Sequence, residues 1–199
     1  MPLVVPYVPG CPPQTILVHL LQAAKVFCRR TLAWNYQHAA ITTVAGQADY
    51  TLAPELDTEV VRLLGCEIED GTTYTVQNGA IGRKFVREAA GRNVCVLAPP
   101  DAITLYPAPP VAGRSLIVDL ALMPSTSAVE WPDTLAEHVE YIAAGAVGSL
   151  CAMPKSTGWR DIDTAADQRD RFERRINAVY HTTARTLVRP EAARQSVQF

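Results

Sequence analysis

The spacing of apolar residues changes twice along this chain, and that change restricts the fold more than any single motif. From about residue 14 to Leu32, Ile16, Leu17, Leu20, Leu21, Ala24, Phe27 and Cys28 recur at steps of three and four, the period of a helix with a buried face. Residues 38 to 123 read differently. His38 to Val44, Tyr50 to Leu52, Glu59 to Ile68, Thr72 to Val76, Val94 to Leu97, Ile103 to Tyr106 and Ser115 to Met123 are strand candidates. Turn signals separate them at Ala45 to Asp49, Glu69-Asp70-Gly71, Asn78-Gly79, Pro99-Pro100 and Pro107 to Pro110. The last strand alternates only in part, as a strand buried on both faces does. Helical spacing then returns twice. Leu135, Val139, Ile142, Ala146, Leu150 and Met153 form one stripe between Pro132 and Pro154. Ala165, Gln168 or Arg169, Phe172, Ile176, Val179, Thr183 and Leu187 form another over about 163–187, with Asp161 or Asp163 as its cap. Ala143, Ala144, Gly145 and Gly148 are small enough to let a neighbouring helix come close.

Three amphipathic helices must meet to bury their stripes, so the β region is expected to be an insertion between the first and the second. The expected class is α+β: an antiparallel helical bundle of about three long helices, a β-rich insertion resembling a small antiparallel sandwich or barrel, and extended arms at both ends. The expected boundaries are an extended N-terminal arm over 1–13, the bundle over 14–37 and 128–187, the insertion over 38–127, and a tail over 188–199. The arm follows from Pro2, Pro6, Pro9, Pro12 and Pro13, which fix φ and exclude a helix. The tail has only Val197 and Phe199 to offer a core.

Composition adds two constraints. Of 199 residues, 48% are hydrophobic, enough to bury a core, but only 19% are charged. A self-contained surface normally carries more charge, so part of this one is expected to face copies of the chain or partners. The net charge of −2 lacks the basic footprint of a dedicated nucleic-acid binder. It is unevenly divided. Residues 169–199 hold Arg169, Arg171, Arg174, Arg175, Arg185, Arg189 and Arg194 against Asp170, Glu173 and Glu191, a balance of +4 that leaves −6 for the rest. Arg169 with Glu173 and Asp170 with Arg174 have the spacing of helical ion pairs. One reading is a helix that pairs with acidic groups of a neighbouring subunit, followed by a basic tail that docks on an acidic partner. The other is a solvated helix with a frayed end.

Cys11, Cys28, Cys66, Cys95 and Cys151 are odd in number and show no C-x-x-C spacing, so buried free thiols are expected rather than a disulfide framework or a zinc site. The first residues do not read as a signal peptide, and no apolar run is long enough to span a membrane, so a cytosolic site of synthesis is expected. No phosphate-loop, dinucleotide, zinc-protease or nucleophile-elbow motif occurs. His19, His38, His138 and His181 are scattered. Asp161, Asp163 and Asp167 can be read as magnesium ligands of a small nuclease, or as negative charge at a helix N-terminus, which is the preferred reading. Arg83, Lys84, Arg87 and Arg92 can touch phosphates, but Glu88 interrupts them and no aromatics interleave, so a solvated loop is preferred. No catalytic residue, cofactor or metal is expected.

The order of several short pieces resembles the head-to-tail adaptor (connector) proteins of tailed bacteriophages, which bind beneath the portal. Cys11-Pro12 leads into a helix with Ala23 to Cys28 and then Trp34; Gly46 to Tyr50 and Leu52 follow. Pro99 to Pro107 precedes a strand ending in Met123-Pro124. Trp131-Pro132-Asp133 opens a helix containing Tyr141-Ile142 and Gly145-Ala146, and Trp159-Arg160-Asp161 leads on to Arg171-Phe172-Glu173. The resemblance covers roughly residues 11–180. It implies a helical bundle with a β-rich insertion, a dodecameric ring of copies of the chain, and no enzymatic activity. Its implied partners are the portal protein, a tail or nozzle protein, and genomic DNA passing transiently and non-specifically through the lumen, with no membrane. The implied location is the head–tail interface of the virion, after assembly in the host cytoplasm. By the same resemblance the end of the chain faces the portal. Arg169, Arg171, Arg174, Arg175, Arg185, Arg189, Arg194 and Phe199 then become portal or subunit-interface candidates, and Arg83, Lys84, Arg87 and Arg92 tail-facing or loop candidates. The alternatives are a head-completion stopper, a tail terminator, or a non-viral nucleic-acid or protein binding module.

Overall fold

The computed structural model describes residues 2–78, 92–98, 101–128, 130–154 and 158–194, with side chains as far as Ala184. The chain is α+β and divides into two compact units, residues 1–34 with 124–199 and residues 35–123.

The first unit holds three long helices, α1 (Pro13–Thr31), α2 (Val139–Cys151) and α3 (Ile162–Arg194), each in contact with the other two. Their cores are the periodic residues: Ile16, Leu20, Ala24 and Phe27 of α1, Ile142, Ala146 and Leu150 of α2, and Ala165, Gln168, Phe172 and Ile176 of α3. On α3 Gln168, not Arg169, takes the inward position. Helix α1 stops where Leu32 enters the left-handed region at φ 55° and its N–H bonds to the Cys28 carbonyl, with Arg29 and Arg30 in the last turn. Asp161 caps α3: its carboxylate accepts from the Thr164 N–H at 3.1 Å and the Thr164 hydroxyl at 2.7 Å, which holds its pKa below the usual carboxylate value. The stretch after Pro132 begins as a 3-10 helix, Asp133–His138, and becomes α-helical only at Val139.

Helices α2 and α3 meet through small residues. A Cβ built on Gly148 would lie 3.1 Å from the Arg169 backbone nitrogen and 3.3 Å from the Ala165 carbonyl oxygen. At Gly145 it would lie 3.0 Å from the Phe172 ring. The glycines therefore let the two backbones approach to a distance that any side chain would hold open.

The N-terminal residues are not an extended arm. They fold into turns around a 3-10 helix, Val5–Tyr7, that places Val4, Val8 and Cys11 in the core. Proline excludes an α-helix but suits the start of a 3-10 turn, and the prolines here leave apolar residues at steps of four and three free to turn inward.

The second unit holds two four-stranded sheets. In one, β8 (Ser115–Pro124) pairs with β4 (Thr58–Ile68) and, antiparallel, with β1 (Asn35–Gln37) and β2 (Ile41–Thr42). The registers Gln37↔Asp119 and Ile41↔Leu116 differ by one residue, so β1 and β2 form one strand interrupted by a bulge at residues 38–40. The bulge turns His38 inward, where its Nδ1–H donates to the Ala39 carbonyl at 2.7 Å and its Nε2 accepts from the Ala53 N–H at 2.9 Å. Those two bonds fix the neutral Nδ1–H tautomer. The end of β8 is buried continuously from Leu120 to Pro124.

The other sheet has the order β3 (Asp49–Thr51), β7 (Ala102–Tyr106), β6 (Val94–Ala98), β5 (Thr75–Asn78). Its β5–β6 pair is parallel, starting at Thr75↔Val94, where an antiparallel unit was expected. Residues 79–93 between them exceed the dozen or so that a parallel return requires. The turn at Glu69 to Gly71 forms as predicted, closed by the Ile68 N–H to Thr72 carbonyl bond. Asn78, read as a turn residue, is instead the last residue of β5. Its side-chain oxygen accepts from the Leu63 N–H at 2.7 Å and its amide donates to the Leu63 carbonyl at 3.0 Å, replacing a backbone pair. All five cysteines are free and buried. Burial pushes the Cys28 thiol up to about 12, and a hydrogen bond with Cys66 together with burial raises Cys95.

Candidate interaction surfaces

Helix α3 presents the arginines, and α2 with its 3-10 lead-in presents what they meet. Arg175 is half-buried. Its guanidinium lies 4.8 Å from the centre of the Tyr141 ring and its Nη2 donates to His138 Nδ1 at 3.1 Å. That bond leaves the hydrogen of His138 on Nε2, which faces Glu137 Oε1 at 3.3 Å. The imidazole itself is buried against Phe27, with ring centres 4.9 Å apart. Burial first, then the Arg175 charge, lowers the His138 pKa, while Glu137 opposes them. His138 is therefore a neutral acceptor that orients Arg175.

Arg171 also lies over the Tyr141 ring, 5.3 Å from its centre, and pairs with Glu140 at 3.1 Å. Arg174 pairs with Asp170, as its spacing predicted. The second predicted pair does not form. Glu173 binds Arg30 of α1 at 2.6 Å, and Arg169 is exposed without an acidic partner among the described residues. Periodicity could not reveal Arg30 as the competitor because it lies 143 residues away. Tyr141, Asp167, Arg171, Arg174, Arg175 and Ala178 line a shallow bowl of ≈ 460 Å³. Arg171 and Arg175 lie over the Tyr141 ring, and Arg171 and Arg174 pair with carboxylates of the same unit, which suits planar contact with another protein more than a strip of phosphates.

The unit also carries an apolar groove of ≈ 400 Å³, walled by Leu17, Val18 and Leu21 of α1, with Leu3, Trp131 and Val139 opposite. Leu17 is 51% exposed and Val18 53%. The sequence placed Leu17, Leu21 and Val139 in inward stripes. They instead flank them, so α1 is apolar on two faces. The available signal was the adjacency of Leu17 and Val18 with Ile16, which one buried face cannot accommodate.

The remaining predicted residues divide as follows. Arg92 is exposed just before β6. Arg83, Lys84, Arg87 and Phe199 lie outside the described residues, as do the side chains of Arg185, Arg189 and Arg194. Among the described residues no cluster of three or more His, Cys, Asp or Glu is placed to hold a metal ion. Nor is any helix long and apolar enough to cross a membrane.

Beside its buried glycine seam, the helical unit thus presents an arginine face and an apolar groove. No curated protein matches this sequence. A family model, that of the SU10 adaptor protein, does match, over residues 11–195, and the chain belongs to that family of bacteriophage head-to-tail adaptors.

Proposed function

We propose that the chain is a structural virion protein that assembles as a dodecameric ring, joins the portal to the tail, and lets genomic DNA pass through its lumen. The observation that carries this reading is the adaptor-family match over nearly the whole chain. In this reading the three helices form the ring-building bundle, residues 38–127 are its β insertion, and residues 188–199 reach the portal. It assigns the chain no enzymatic activity and no cofactor. The groove and the low charged fraction support it, because a ring buries much of each subunit against its neighbours. The balanced arginines support weak handling of DNA, since a lumen that bound phosphates strongly would retain the genome.

The test is electron microscopy of the purified chain mixed with its portal protein. Twelvefold rings on the portal are expected, and a variant lacking residues 186–199 should fold but fail to dock. A chain that never engages the portal and caps the tail instead would refute the adaptor reading in favour of a tail terminator.

A further inference from the structure

We infer that Cys66 and Cys95 form a redox-closed staple of the β unit: two thiols in the reduced chain, and one disulfide between the sheets once a peroxide has oxidised them. The inference does not depend on the ring reading.

The first argument is place. Cys66 lies in β4, which pairs with β8 in the first sheet, and Cys95 lies in β6, an interior strand of the second. Strand β4 also touches β5 and β6. The Cys66 carbonyl accepts from the Tyr74 N–H at 2.9 Å, just before β5 begins. The two thiols are hydrogen-bonded to each other, so their sulfurs are already in contact across the layers. Cys11 and Cys151 are bonded to backbone carbonyls instead, of Pro12 at 3.8 Å and Tyr7 at 3.9 Å. Closing the pair asks mainly for rotation of two short side chains toward the disulfide distance of about 2.05 Å.

The second argument is chemistry. Cys95 is fully buried and Cys66 is 4% exposed, so Cys66 meets a small oxidant first. Its sulfur, having given up its proton, attacks one oxygen of hydrogen peroxide. The O–O bond breaks, the released hydroxide takes that proton as water, and Cys66 becomes a sulfenic acid. The Cys95 sulfur then attacks the sulfenic sulfur and expels hydroxide, which leaves as water with the Cys95 proton. Two thiols have lost two electrons, and one peroxide has been reduced to two waters. Burial slows the first step, which keeps the pair reduced in a cytosol poised against disulfides. In the proposed virion role the chain leaves such a cytosol when the particle is released. Closed, the link ties β4 to β6 and shuts the loop 66–95, which restricts the unfolded chain and holds the two sheets together.

The experiment uses the full chain, purified with a reductant that is then removed, and treated with hydrogen peroxide. Thiols are counted by alkylation in denaturant, the link is located by peptide mass spectrometry, and unfolding is followed thermally. The expected result is loss of two of the five thiols and a joined Cys66–Cys95 peptide. The Tm of the β unit should rise by about 5–15 °C and return with dithiothreitol. Cys66→Ser and Cys95→Ser should each abolish the link and the rise, whereas Cys11→Ser, in the helical unit, should keep both. Five remaining thiols while glutathione in the same tube is oxidised would overturn the inference, as would sulfinic acid in place of the link or a different cysteine pair. A link with an unchanged or lower Tm would overturn the staple. The wild-type peptide map decides the matter even where a serine variant fails to fold.

Discussion

Replacing Gly148 by alanine should destabilise the helical unit, although the same change in an ordinary helix interior stabilises it. Alanine is favoured over glycine by about 1 kcal/mol in a helix. At Gly148 the added methyl would sit 3.1 Å from the Arg169 nitrogen, 3.3 Å from the Ala165 oxygen and 3.4 Å from the Arg169 Cα. All three are backbone atoms of α3, so no rotamer change relieves them and the helices must separate. Overpacking of this kind costs roughly 1–3 kcal/mol. The net expectation is a loss of about 1 kcal/mol, or a fall of about 2–4 °C in Tm for a chain of this size. The assay is thermal and urea unfolding followed by the helical circular dichroism signal, which isolates this unit even if the β unit melts separately. A Tm that rises by the full helix-propensity gain would show that α2 and α3 part without cost, and the close-approach argument would fail.

Further outcomes follow from individual contacts. His138 has a lowered pKa, so the folded state binds fewer protons than the unfolded chain just below about pH 6.5. Stability should be fully present above that pH and decline as pH falls toward the folded-state pKa; pH-dependent denaturation of wild type against His138→Gln checks this, and an identical slope in both would refute it. The Arg30–Glu173 pair is close but 43% and 41% exposed, so a double-mutant cycle should return less than about 1 kcal/mol; a larger coupling would mean the pair is shielded. Asn78→Ala removes both bonds to the Leu63 backbone and should cost about 1–3 kcal/mol in urea unfolding of the β unit, whereas a neutral result would mean that water replaces the amide.

Residue spacing was a good guide to elements and a poor one to what covers them. Steps of three and four located all three long helices, although α3 runs on to Arg194 where a tail was expected from residue 188, and turn residues bracketed β4, β6, β7 and β8 to within a residue or two. Such signals are local, because the backbone period depends on adjacent residues. The errors arose where the outcome depends on distant ones. Leu17 and Ile16 are indistinguishable by period, yet one lines an open groove and the other is buried. Glu173 has a helical neighbour at the right spacing and still binds Arg30. The parallel pairing of β5 with β6 depends on how residues 79–93 return the chain. The arginine-rich end was legible as charge, whereas the stacking of Arg171 and Arg175 on Tyr141 required the fold.

The glycine seam and the groove are linked by the way the unit obtains its stability. Where α2 faces α3, packing relies on Gly145, Gly148 and a buried Phe172 that stacks on Phe27 with ring centres 6.3 Å apart. Close backbone approach gains dispersion contacts without large side chains. Leu17, Val18 and Val139 can then point outward without depleting the core, because the buried set on α1 and α2 is already complete with Ile16, Leu20, Phe27, Ile142 and Leu150. In the proposed ring, stability of the subunit and affinity for its neighbours would therefore reside in different residues. Polar substitutions at Leu17 or Val18 should leave the unfolding transition nearly unchanged while abolishing association, whereas Gly148→Ala should shift the transition first. Under the proposed function, a subunit built this way can fold before it assembles.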